Sequence, residues 1–376
     1  MNYRREKIHM RPIVLHFKSV YLNLSETFID RLVRHHERYA PVIGTLQPRH
    51  YLDGLLIYAP SGPAAWRDRL LQQLNRTPWF LYRVCRQERP AVLHAHFGLD
   101  GYRLLGLAHH TRLPLVVSFY GHDVSRLPDE PGWRRRYRRL ARQGTRFIAA
   151  TDFMKRQLSR LGFPEEKIKV VRFGLDLNAF PFRLRTRAGP RLLLIGRLVE
   201  KKGHCTALEA VAHLRAKGYP VELHCYGDGP LRETLRTEAH RLGIAPYVAF
   251  HGAVTNEVVR QTYYAHDVLL VPSQTATDGD REGLPNVIIE GLATGIPVVA
   301  TRHAGIPELI IHEQTGLLIP ERNAHALVAA VTKLIETPAL VEQLSKAGRA
   351  AVEAQHSLIR MVRDTEAVYD TARHSI

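Results

Sequence analysis

Hydrophobic residues occur along this chain in short runs that alternate with longer segments of helical periodicity. The runs are apolar on both faces, which is typical of the buried strands of a parallel sheet. In the first half we predict strands at "PIVLHF" (12–17), "PVIGTL" (41–46), "AVLHAHF" (91–97), "PLVVSFY" (114–120), "RFIAA" (146–150) and "IKVVRF" (168–173). Helices are predicted between the strands, among them Glu26 to Tyr39 and Gly98 to His110. This alternation predicts βα units.

The same rhythm restarts in the second half after a proline-punctuated polar linker at 180–190. The strands predicted there are "RLLLIGRL" (191–198), "VELHCYG" (221–227), "YVAFHG" (247–252), "DVLLVPS" (267–273) and "IPVVAT" (296–301). We therefore predict an α/β protein of two Rossmann-like, doubly wound parallel-sheet domains that face a cleft. The predicted bounds are 1–185 and 186–357, followed by a C-terminal helix (358–376) that packs back on the first domain. In such sheets ligands bind beyond the carboxyl ends of the strands.

The stretch "DGDREGLPNVIIEGLATGIPVVAT" (278–301) places acids on both sides of a predicted helix start. The helix is predicted over 285–294, and its first free N–H groups, near Asn286 and Val287, form a site suited to a diphosphate. Glu290 lies about one turn further on the same face, where its carboxylate can accept hydrogen bonds from a diol. Glu282 precedes the helix and can bind hydroxyls beyond the phosphates. A ligand with diol, diphosphate and polyol in that order is a nucleotide sugar.

Two cations follow the first strand of the same domain, in "GRLVEKKG" (196–203). Arg197 stands at the strand end and Lys202 at the entrance of the next helix, where they can neutralise a leaving diphosphate without a metal. Such a pair is also common in solvated turns. The Gly-rich turn "YGDGPLR" (226–232) follows the next strand.

Together these residues resemble a family, the retaining GT-B glycosyltransferases of family 4 (glycosyl transferases group 1). Glu282 and Glu290 match its E-x7-E signature, and "GRLVEKKG", "YGDGPLR", "EGLPNVIIEGLATGIPVVAT" and "AGIPELI" (304–310) follow in the family's order. The first half is similar in "LSETFI" (24–29), "HAHFG" (94–98) and "SFYGHDV" (118–124). These forms look most like enzymes of exopolysaccharide assembly, of the colanic-acid type.

The resemblance implies roles for individual residues. Arg197 and Lys202 hold the donor diphosphate, Glu290 the ribose hydroxyls, and Glu282 the hydroxyls of the donor sugar. The remaining implied contacts to the donor come from the backbone amides of Gly283 and Leu284, from Val254 beside the base, and from His122 of the first domain. The implied reaction is a same-face displacement in which the leaving phosphate takes the acceptor's proton.

The first-domain loop departs from the family pattern. Many members carry a Gly-Gly loop after the first strand, whereas "KSVYLNLSETF" (18–28) contains no glycine. Whether the backbone of this loop contacts the phosphates therefore stays open, and Ser25, Glu26 or Thr27 is expected to act through its side chain, toward the acceptor. His96 ends a strand that faces the predicted cleft, and we expect it, with Asp123 of the "GHD" motif, among the first-domain contacts.

Charge is distributed unevenly along the 376 residues, whose formal net charge is +17. Residues 1–190 hold 34 of the 53 Lys and Arg but 15 of the 36 Asp and Glu. An anionic partner is therefore expected for the first half. The densest cluster is "WRRRYRRLAR" (133–142), a predicted helix with one basic face made of Arg134, Arg135, Arg138 and Arg142. With Trp133, Tyr137 and Leu140 as apolar contacts it suits an anionic membrane, although a solvated helix face remains the alternative.

Metal-binding patterns are weak. "DGD" (278–280) imitates the metal-binding DxD of the other large glycosyltransferase fold but lies late in the chain, and "HAH" (94–96) shows no third ligand at a helpful spacing. We expect no metal and no cofactor beyond the nucleotide sugar. The three cysteines form no CxxC pair and are read as reduced thiols of a cytosolic protein.

The sequence therefore predicts a retaining hexosyltransferase that moves a sugar from a UDP- or GDP-sugar to a lipid-diphosphate-linked glycan acceptor. We expect it to be peripheral at the inner face of the plasma membrane and to bind no nucleic acid. Two alternatives stay open: another GT-B reaction such as sugar epimerisation, and a non-catalytic basic scaffold that binds membrane or nucleic acid.

Overall fold

The computed structural model describes residues 11–21, 26–48, 54–62 and 65–375. The chain divides into two compact units. The first contains Met1–Gly174 together with Leu358–Ile376, and the second contains Leu175–Ser357. The division therefore falls at Gly174, upstream of the predicted boundary at 185, because the linker residues fold with the second unit. For example, the amide of Arg183 donates to the carbonyl oxygen of Thr294 (3.0 Å).

The first unit is built on a seven-stranded sheet in which every described pair of strands is parallel. Its order is β5-β3-β1-β6-β7-β8-β9, and β2 and β4 form a separate parallel pair. The strands are β1 (Ile13–Phe17), β2 (Val20–Tyr21), β3 (Ala40–Gly44), β4 (Gln47–Pro48), β5 (Leu56–Tyr58), β6 (Val92–His96), β7 (Leu115–Phe119), β8 (Arg146–Ala149) and β9 (Ile168–Val170). Strands β1, β6 and β7 are buried at every residue, as the apolar runs predict.

Helices connect these parallel strands, as chain geometry requires. They are α1 (Thr27–Arg34), α2 (Ala65–Gln73), α3 (Phe80–Glu88), α4 (Gly98–Thr111), α5 (His122–Ser125), α6 (Trp133–Gln143) and α7 (Asp152–Arg160). Helix α1 ends at Arg34, earlier than the predicted Tyr39. The chain turns there because the ring of His36 is drawn into the core, where it is hydrogen-bonded to His16 and Glu366.

The second unit repeats the design with a six-stranded parallel sheet of order β12-β11-β10-β13-β14-β15. Its strands are β10 (Arg191–Ile195), β11 (Glu222–Tyr226), β12 (Val248–Gly252), β13 (Val268–Val271), β14 (Val298–Thr301) and β15 (Leu317–Ile319). Its helices are α8 (His204–Ala216), α9 (Arg232–Arg241), α10 (Asn256–Ala265), α11 (Asn286–Thr294), α12 (Ala324–Glu336) and α13 (Pro338–Gln355). The order changes direction at β10, where β11 lies on one side and β13 on the other, which is where ligands bind in such sheets.

The C-terminal helix α14 (Leu358–Arg373) completes the first unit. Its buried face, which includes Met361, Val362 and Tyr369, joins Val14, Val92 and Val116 in one apolar cluster. Among the described residues, no single helix has the length and apolar character needed to cross a membrane. Taken together, α12 and α13 meet those two criteria, but a bend of 101° separates them.

Candidate functional site

Two glycines bring the strand-end loops of the second unit into close contact. A Cβ on Gly227, after β11, would lie 2.0 Å from the carbonyl oxygen of Gly196, after β10. A Cβ on Gly203, at the start of α8, would lie 1.8 Å from the carbonyl oxygen of Pro272, after β13. Both glycines also have positive φ, +138° and +69°. The motifs "GRLVEKKG" and "YGDGPLR" therefore meet at the switch point of the sheet.

A compact group of opposite charges lies at this edge. Lys202 Nζ is 3.2 Å from Glu282 Oε1, and Lys201 Nζ is 3.6 Å from the same oxygen and 3.0 Å from Asp280 Oδ2. Burial alone would raise the pKa of Glu282, but Lys202 and Lys201 lower it to about 2. Glu282 is therefore a stable carboxylate at neutral pH, able to accept hydrogen bonds and unable to act as a proton donor.

A second layer of polar contacts holds Glu282 in place. Its backbone amide donates to His303 Nε2 (3.1 Å), so His303 Nδ1 donates to Glu321 Oε1 (2.7 Å). The other oxygen of Glu321 accepts from the amide of Thr275 (2.8 Å). Since the ring of His303 is fixed at both nitrogens, the loop that carries Glu282 is fixed as well.

The segment before Glu282, "QTATDGDR" (274–281), is anchored to the lysine turn, which is the short turn that carries Lys201 and Lys202. The backbone N–H of Gln274 donates to the carbonyl oxygen of Lys201 (2.9 Å). The backbone N–H and the hydroxyl of Thr277 donate to Glu200 Oε2 (2.9 and 2.8 Å). Asp280 contacts Lys201, so this acid of the "DGD" motif lies beside a cation, while Asp278 accepts the backbone N–H of Asp280 (3.0 Å). This placement gives the motif a structural role in ordering the loop.

The other donor residues predicted in this unit lie on separate loops and on α11. Pro285 caps α11, and Asn286 and Val287 are half-buried in its first turn. Glu290 is buried, and Glu290 Oε2 accepts a hydrogen bond from the Tyr263 hydroxyl (2.9 Å). The remaining predicted residues are the buried Gly283 and Leu284, the exposed Arg197 and the half-buried Val254. Their donor roles stay predictions.

The "GHD" motif of the first unit forms a tight turn after β7. Asp123 is buried and accepts backbone N–H donors from Gly98 (3.1 Å), Tyr120 (3.0 Å) and Gly121 (2.9 Å). The carboxylate of Asp123 therefore holds the turn, and contact between Asp123 and a substrate stays a prediction. Burial raises the pKa of this carboxyl group, and the three N–H donors oppose that rise. His122, the next residue toward the N-terminus, is exposed at the start of α5.

His96 is also more deeply buried than the sequence predicts. It is fully buried, with its Nε2 3.0 Å from His16 Nδ1 and its Nδ1 2.7 Å from the Tyr120 hydroxyl. His16 continues the network through Nε2 to His36 Nε2 (3.1 Å), and His36 Nδ1 contacts Glu366 Oε1 (3.2 Å). His96 thus belongs to a buried hydrogen-bond network, and its contact with a substrate stays a prediction.

A direction of proton donation follows from the ionised end of this network. Burial would raise the pKa of Glu366, but the hydrogen bond from His36 and the backbone amides of residues 37 and 38 lower it to about 2. Each neutral histidine has one ring proton. Tyr120 therefore donates to His96, which donates to His16, which donates to His36, which donates to the Glu366 carboxylate.

His16, His94 and His96 are also the one group of described residues whose ligand atoms, within 4.8 Å of each other, are close enough for a metal ion. His94 Nδ1 contacts the Tyr369 hydroxyl (2.6 Å), and His94 Nε2 contacts the Ser118 hydroxyl (2.7 Å). Every ring nitrogen of the three histidines thus has a protein hydrogen-bond partner. We assign the group as a hydrogen-bonded core network. The sequence missed it because His16 stands beside His94 only through the pairing of β1 with β6.

The loop predicted to contact the acceptor is partly described. Glu26 Oε2 pairs with Lys18 Nζ (2.9 Å), and Thr27 begins α1. Ser25 lies outside the described residues.

The arginines of α6 form an exposed face, as predicted, but its aromatic residues do not. Arg134, Arg135, Arg138 and Arg142 are exposed. Trp133, Tyr137 and Leu140 are buried in the first unit, so the prediction that they contact a membrane is wrong. The helix turns its apolar stripe to the core, as surface helices of globular proteins do.

Comparisons with known proteins follow the same division of the chain. A model of "Glycosyltransferase Family 4" matches residues 25–179, and a model of "Glycosyl transferases group 1" matches residues 189–337. A putative colanic acid biosynthesis glycosyltransferase of Escherichia coli is 34% identical over 76% of this chain and 71% of its own length. An amylovoran biosynthesis glycosyltransferase of Erwinia amylovora is 36% identical over 64% of this chain and 60% of its own.

The match to the Erwinia protein therefore spans less than two thirds of that relative. Among solved structures, a protein of Anabaena crystallised with UDP superimposes with a TM-score of 0.76 at 18% identity, covering 96% of this chain and 100% of that one. At that identity the likeness concerns the fold alone.

Proposed function

Because this chain belongs to the family 4 (group 1) glycosyltransferases, which have the GT-B fold, we propose which reaction it catalyses. The proposed reaction transfers a sugar from a UDP- or GDP-sugar, with retention of configuration, to a lipid-linked glycan. The product belongs to exopolysaccharide or another cell-surface polysaccharide. Relatives named for colanic acid and amylovoran biosynthesis support this choice of product class.

The observation that carries the proposal is the charge cluster around Glu282. A carboxylate that stays ionised suits a residue that accepts hydrogen bonds from sugar hydroxyls. Lys202 lies 3.2 Å from it and offers the positive charge that a diphosphate beside that sugar needs. Helix α11 begins four residues after Glu282, and its first turn adds free N–H groups for the same phosphates.

In the proposed step, the bond between the anomeric carbon and the phosphate oxygen breaks. The bond to the acceptor oxygen forms on the same face of the sugar, and the departing phosphate oxygen takes the proton of the acceptor hydroxyl. Lys202 and Arg197 stabilise the charge that develops on the diphosphate. Glu282, ionised throughout, orients the sugar and takes no proton.

Binding of the donor is the first test. Calorimetric titration with UDP- and GDP-sugars is expected to show saturable binding to one of the two series, and product analysis by NMR is expected to show the donor's anomeric configuration retained. No binding by either series would contradict the proposal and favour the alternative of a non-catalytic basic scaffold. Conversion of the free nucleotide sugar without transfer would favour the epimerase.

Two variants separate the proposed roles. Glu282→Ala is expected to lower turnover on the order of 100-fold with a smaller loss of nucleotide binding, because sugar orientation matters most in the transition state. Arg197→Ala is expected to weaken both by roughly tenfold, since it contacts the diphosphate. Glu233→Ala and Arg236→Ala, exposed positions on α9 of the same unit, are the matched controls. Equal and negligible losses in all four would contradict the assignment.

The reaction is proposed to need no metal, because cationic side chains supply the charge. Turnover in EDTA is expected to equal turnover with added Mg²⁺ or Mn²⁺. A loss of turnover in EDTA that Mn²⁺ restores would assign the diphosphate to a metal instead.

A further inference from the structure

One segment of the first unit exposes apolar residues that the proposed donor site does not explain. Trp66, Leu70, Leu74 and Trp79 are exposed to 67%, 45%, 59% and 56%. They lie on α2 and on the loop that leads from it to α3. The one buried residue of α2 is Asp68, which accepts the backbone N–H donors of Trp79 and Phe80. The helix is thus held by a polar contact while its apolar side chains face outward.

A groove runs beside these residues. It has a volume of about 740 Å³. Leu71, Leu74 and Leu105 give it an aliphatic wall, and Trp79, Tyr82 and Tyr102 an aromatic one. The groove is formed by elements of the first unit alone, from α2 to α4 with one residue of α6. Cavities of this size and lining are typical of sites for apolar ligands.

The rim of the groove is cationic. Arg76 and Arg139 line it, and neither pairs with an acid within the described ranges. Arg139 belongs to α6, whose exposed arginines continue the positive surface away from the groove. Arg67 stacks over the Trp79 ring at 5.2 Å from its centroid, which keeps that indole presented beside the rim. A ligand that matches this surface has an apolar body and an anionic end.

We infer that this groove binds the hydrocarbon chain of the phosphate-bearing lipid that carries the acceptor glycan, with the phosphate at Arg76 and Arg139. The inference rests on the proposed function for the acceptor's lipid carrier. It moves the membrane-facing surface from the apolar side of α6, which is buried, to α2 and the 74–79 loop. Helix α6 contributes only its cations.

The tryptophans make the binding observable. The chain has three, of which Trp66 and Trp79 are exposed beside the groove and Trp133 is buried. Full-length protein is mixed with three kinds of vesicle: neutral phosphatidylcholine, the same lipid with a polyisoprenyl phosphate, and the same lipid with an equal mole fraction of phosphatidylglycerol. Tryptophan emission and co-sedimentation are measured at low and high salt.

The expected result is a blue shift of the emission and co-sedimentation with the polyisoprenyl phosphate vesicles, at least fivefold stronger than with phosphatidylglycerol. Equal binding to both anionic vesicles would overturn the inference in favour of general attraction to a charged membrane. No binding to either, or concentration-dependent dimerisation that buries the tryptophans without lipid, would overturn it as well.

Exposed positions supply variants that are expected to fold. Leu74→Glu is expected to weaken partitioning by roughly tenfold or more, since the apolar contact of a leucine is lost. Arg76→Ala is expected to weaken it about fivefold, the effect of one cation near an anionic lipid. Ile359→Glu on α14 (71% exposed) and Arg156→Ala on α7 are matched changes in the same unit, away from the groove, and are expected to bind as the unaltered protein does.

A second readout separates this inference from the proposed function. Leu74→Glu is expected to keep the unaltered affinity for the donor and full turnover with a short-chain, water-soluble acceptor. It is expected to lose the lower KM that the unaltered protein shows for a long-chain acceptor. If KM does not depend on chain length in the unaltered protein, the groove has no part in acceptor binding. If lipid binds but no donor is turned over, the transferase proposal fails and the groove stands.

Discussion

Lys201 and Lys202 are neighbours in the chain but hold different positions in the charge cluster. Lys201 is buried between Asp280 and Glu282 and therefore joins the 274–281 loop to the lysine turn. Lys202 packs its side-chain stem over Gly196, 3.2 Å from where a Cβ would stand, and contacts Glu282 alone among the acids of the described chain. A diphosphate can compete with Glu282 for Lys202 while Lys201 continues to hold the carboxylate.

We therefore predict different losses from the two lysines. Lys202→Ala is expected to weaken UDP or GDP binding by roughly tenfold with little change in Tm. Lys201→Ala is expected to lower the unfolding free energy by about 2 kcal/mol, because the half-buried Asp280 loses its cation and Glu282 keeps only Lys202. Titration calorimetry for binding and differential scanning calorimetry for Tm measure the two effects, and Lys217→Ala, at the exposed residue that follows α8, is the control. Identical behaviour of the two variants would contradict this division.

The low pKa of Glu282 gives a pH dependence of stability. A carboxyl group whose pKa falls from 4.5 to about 2 on folding stabilises the native state fully above pH 4.5 and loses that contribution as pH falls toward 2. Glu282→Gln removes the charge and keeps the shape. The stability difference between the unaltered protein and this variant is expected to shrink from pH 7 to pH 3 in urea unfolding. A stability difference that stays constant with pH would mean that folding does not lower the pKa of Glu282.

The site residues predicted from the sequence are those whose proposed roles depend on local spacing. Glu282, Glu290, Arg197 and Lys202 stand in short motifs next to strand ends. Sequence reasoning missed His303 and Glu321, which fix the backbone of Glu282, because their contact is made by tertiary packing between loops after different strands. No periodic pattern marks such a contact. The burial of His96 and Asp123 was equally invisible, since a polar residue at a strand end reads as exposed.

At the scale of elements, strands β1 and β6 carry histidines into the core of the first unit. Burial lowers the pKa of His16, His94 and His96 well below 6.5, and their mutual repulsion when charged lowers it further. The charged groups that face them are Glu366 on α14, which acts through His36, and Lys18, which disfavours protonation of His96. These histidines therefore stay neutral in the folded protein.

The first unit should accordingly lose stability in mild acid. Below pH 6.5 the unfolded chain binds protons on these histidines and the folded chain does not, so the unfolding free energy falls with pH, by about 1.4 kcal/mol per pH unit for each histidine. Urea unfolding between pH 7 and pH 5 measures the slope. His94→Gln is expected to make it shallower, and His109→Gln, an exposed residue of α4, to leave it unchanged. A flat profile for the unaltered protein would contradict the buried neutral network.

Element positions were predicted best where strands are buried at every residue, as in β1, β6 and β7. The short strands β2, β4, β5 and β15 were missed because two or three residues outside a longer apolar run give no periodicity, whereas the equally short β9 was found within "IKVVRF". Helix α6 was found, but its buried side was mistaken for a membrane contact. Periodicity identifies an apolar stripe and cannot say whether the chain's own core or a lipid covers it.

At the scale of the whole molecule, the basic half of the sequence and the nearly neutral half lie largely in different compact units. The charge asymmetry therefore belongs to the first unit, where the groove and the exposed arginines are found. The predicted organisation into two α/β domains is the part of the fold that sequence rhythm alone establishes. The position of the unit boundary required the structure, because the proline-rich linker folds onto α11.

Because α14 belongs to the first unit, its packing is expected to control the stability of that unit alone. Tyr369 is fully buried and contacts His94 and the Tyr39 ring. Tyr369→Ala is expected to lower the unfolding free energy of the first unit by about 4 kcal/mol, the cost of removing a buried aromatic side chain. Calorimetry with and without nucleotide assigns the transitions, since nucleotide is expected to stabilise the second unit. Arg363→Ala is the exposed control, and a loss of nucleotide binding in Tyr369→Ala would contradict this independence.

The chain leaves the first unit at Gly174 and returns to it at Leu358, so the sequence of the second unit is inserted within the sequence of the first. During synthesis on the ribosome, the second unit has all of its residues available before the first does. Residues up to Gly174 therefore leave the surface that binds α14 uncovered while the whole second unit is translated. Chaperone dependence of the nascent chain, and its relief once α14 emerges, is the consequence this topology carries for expression of the protein.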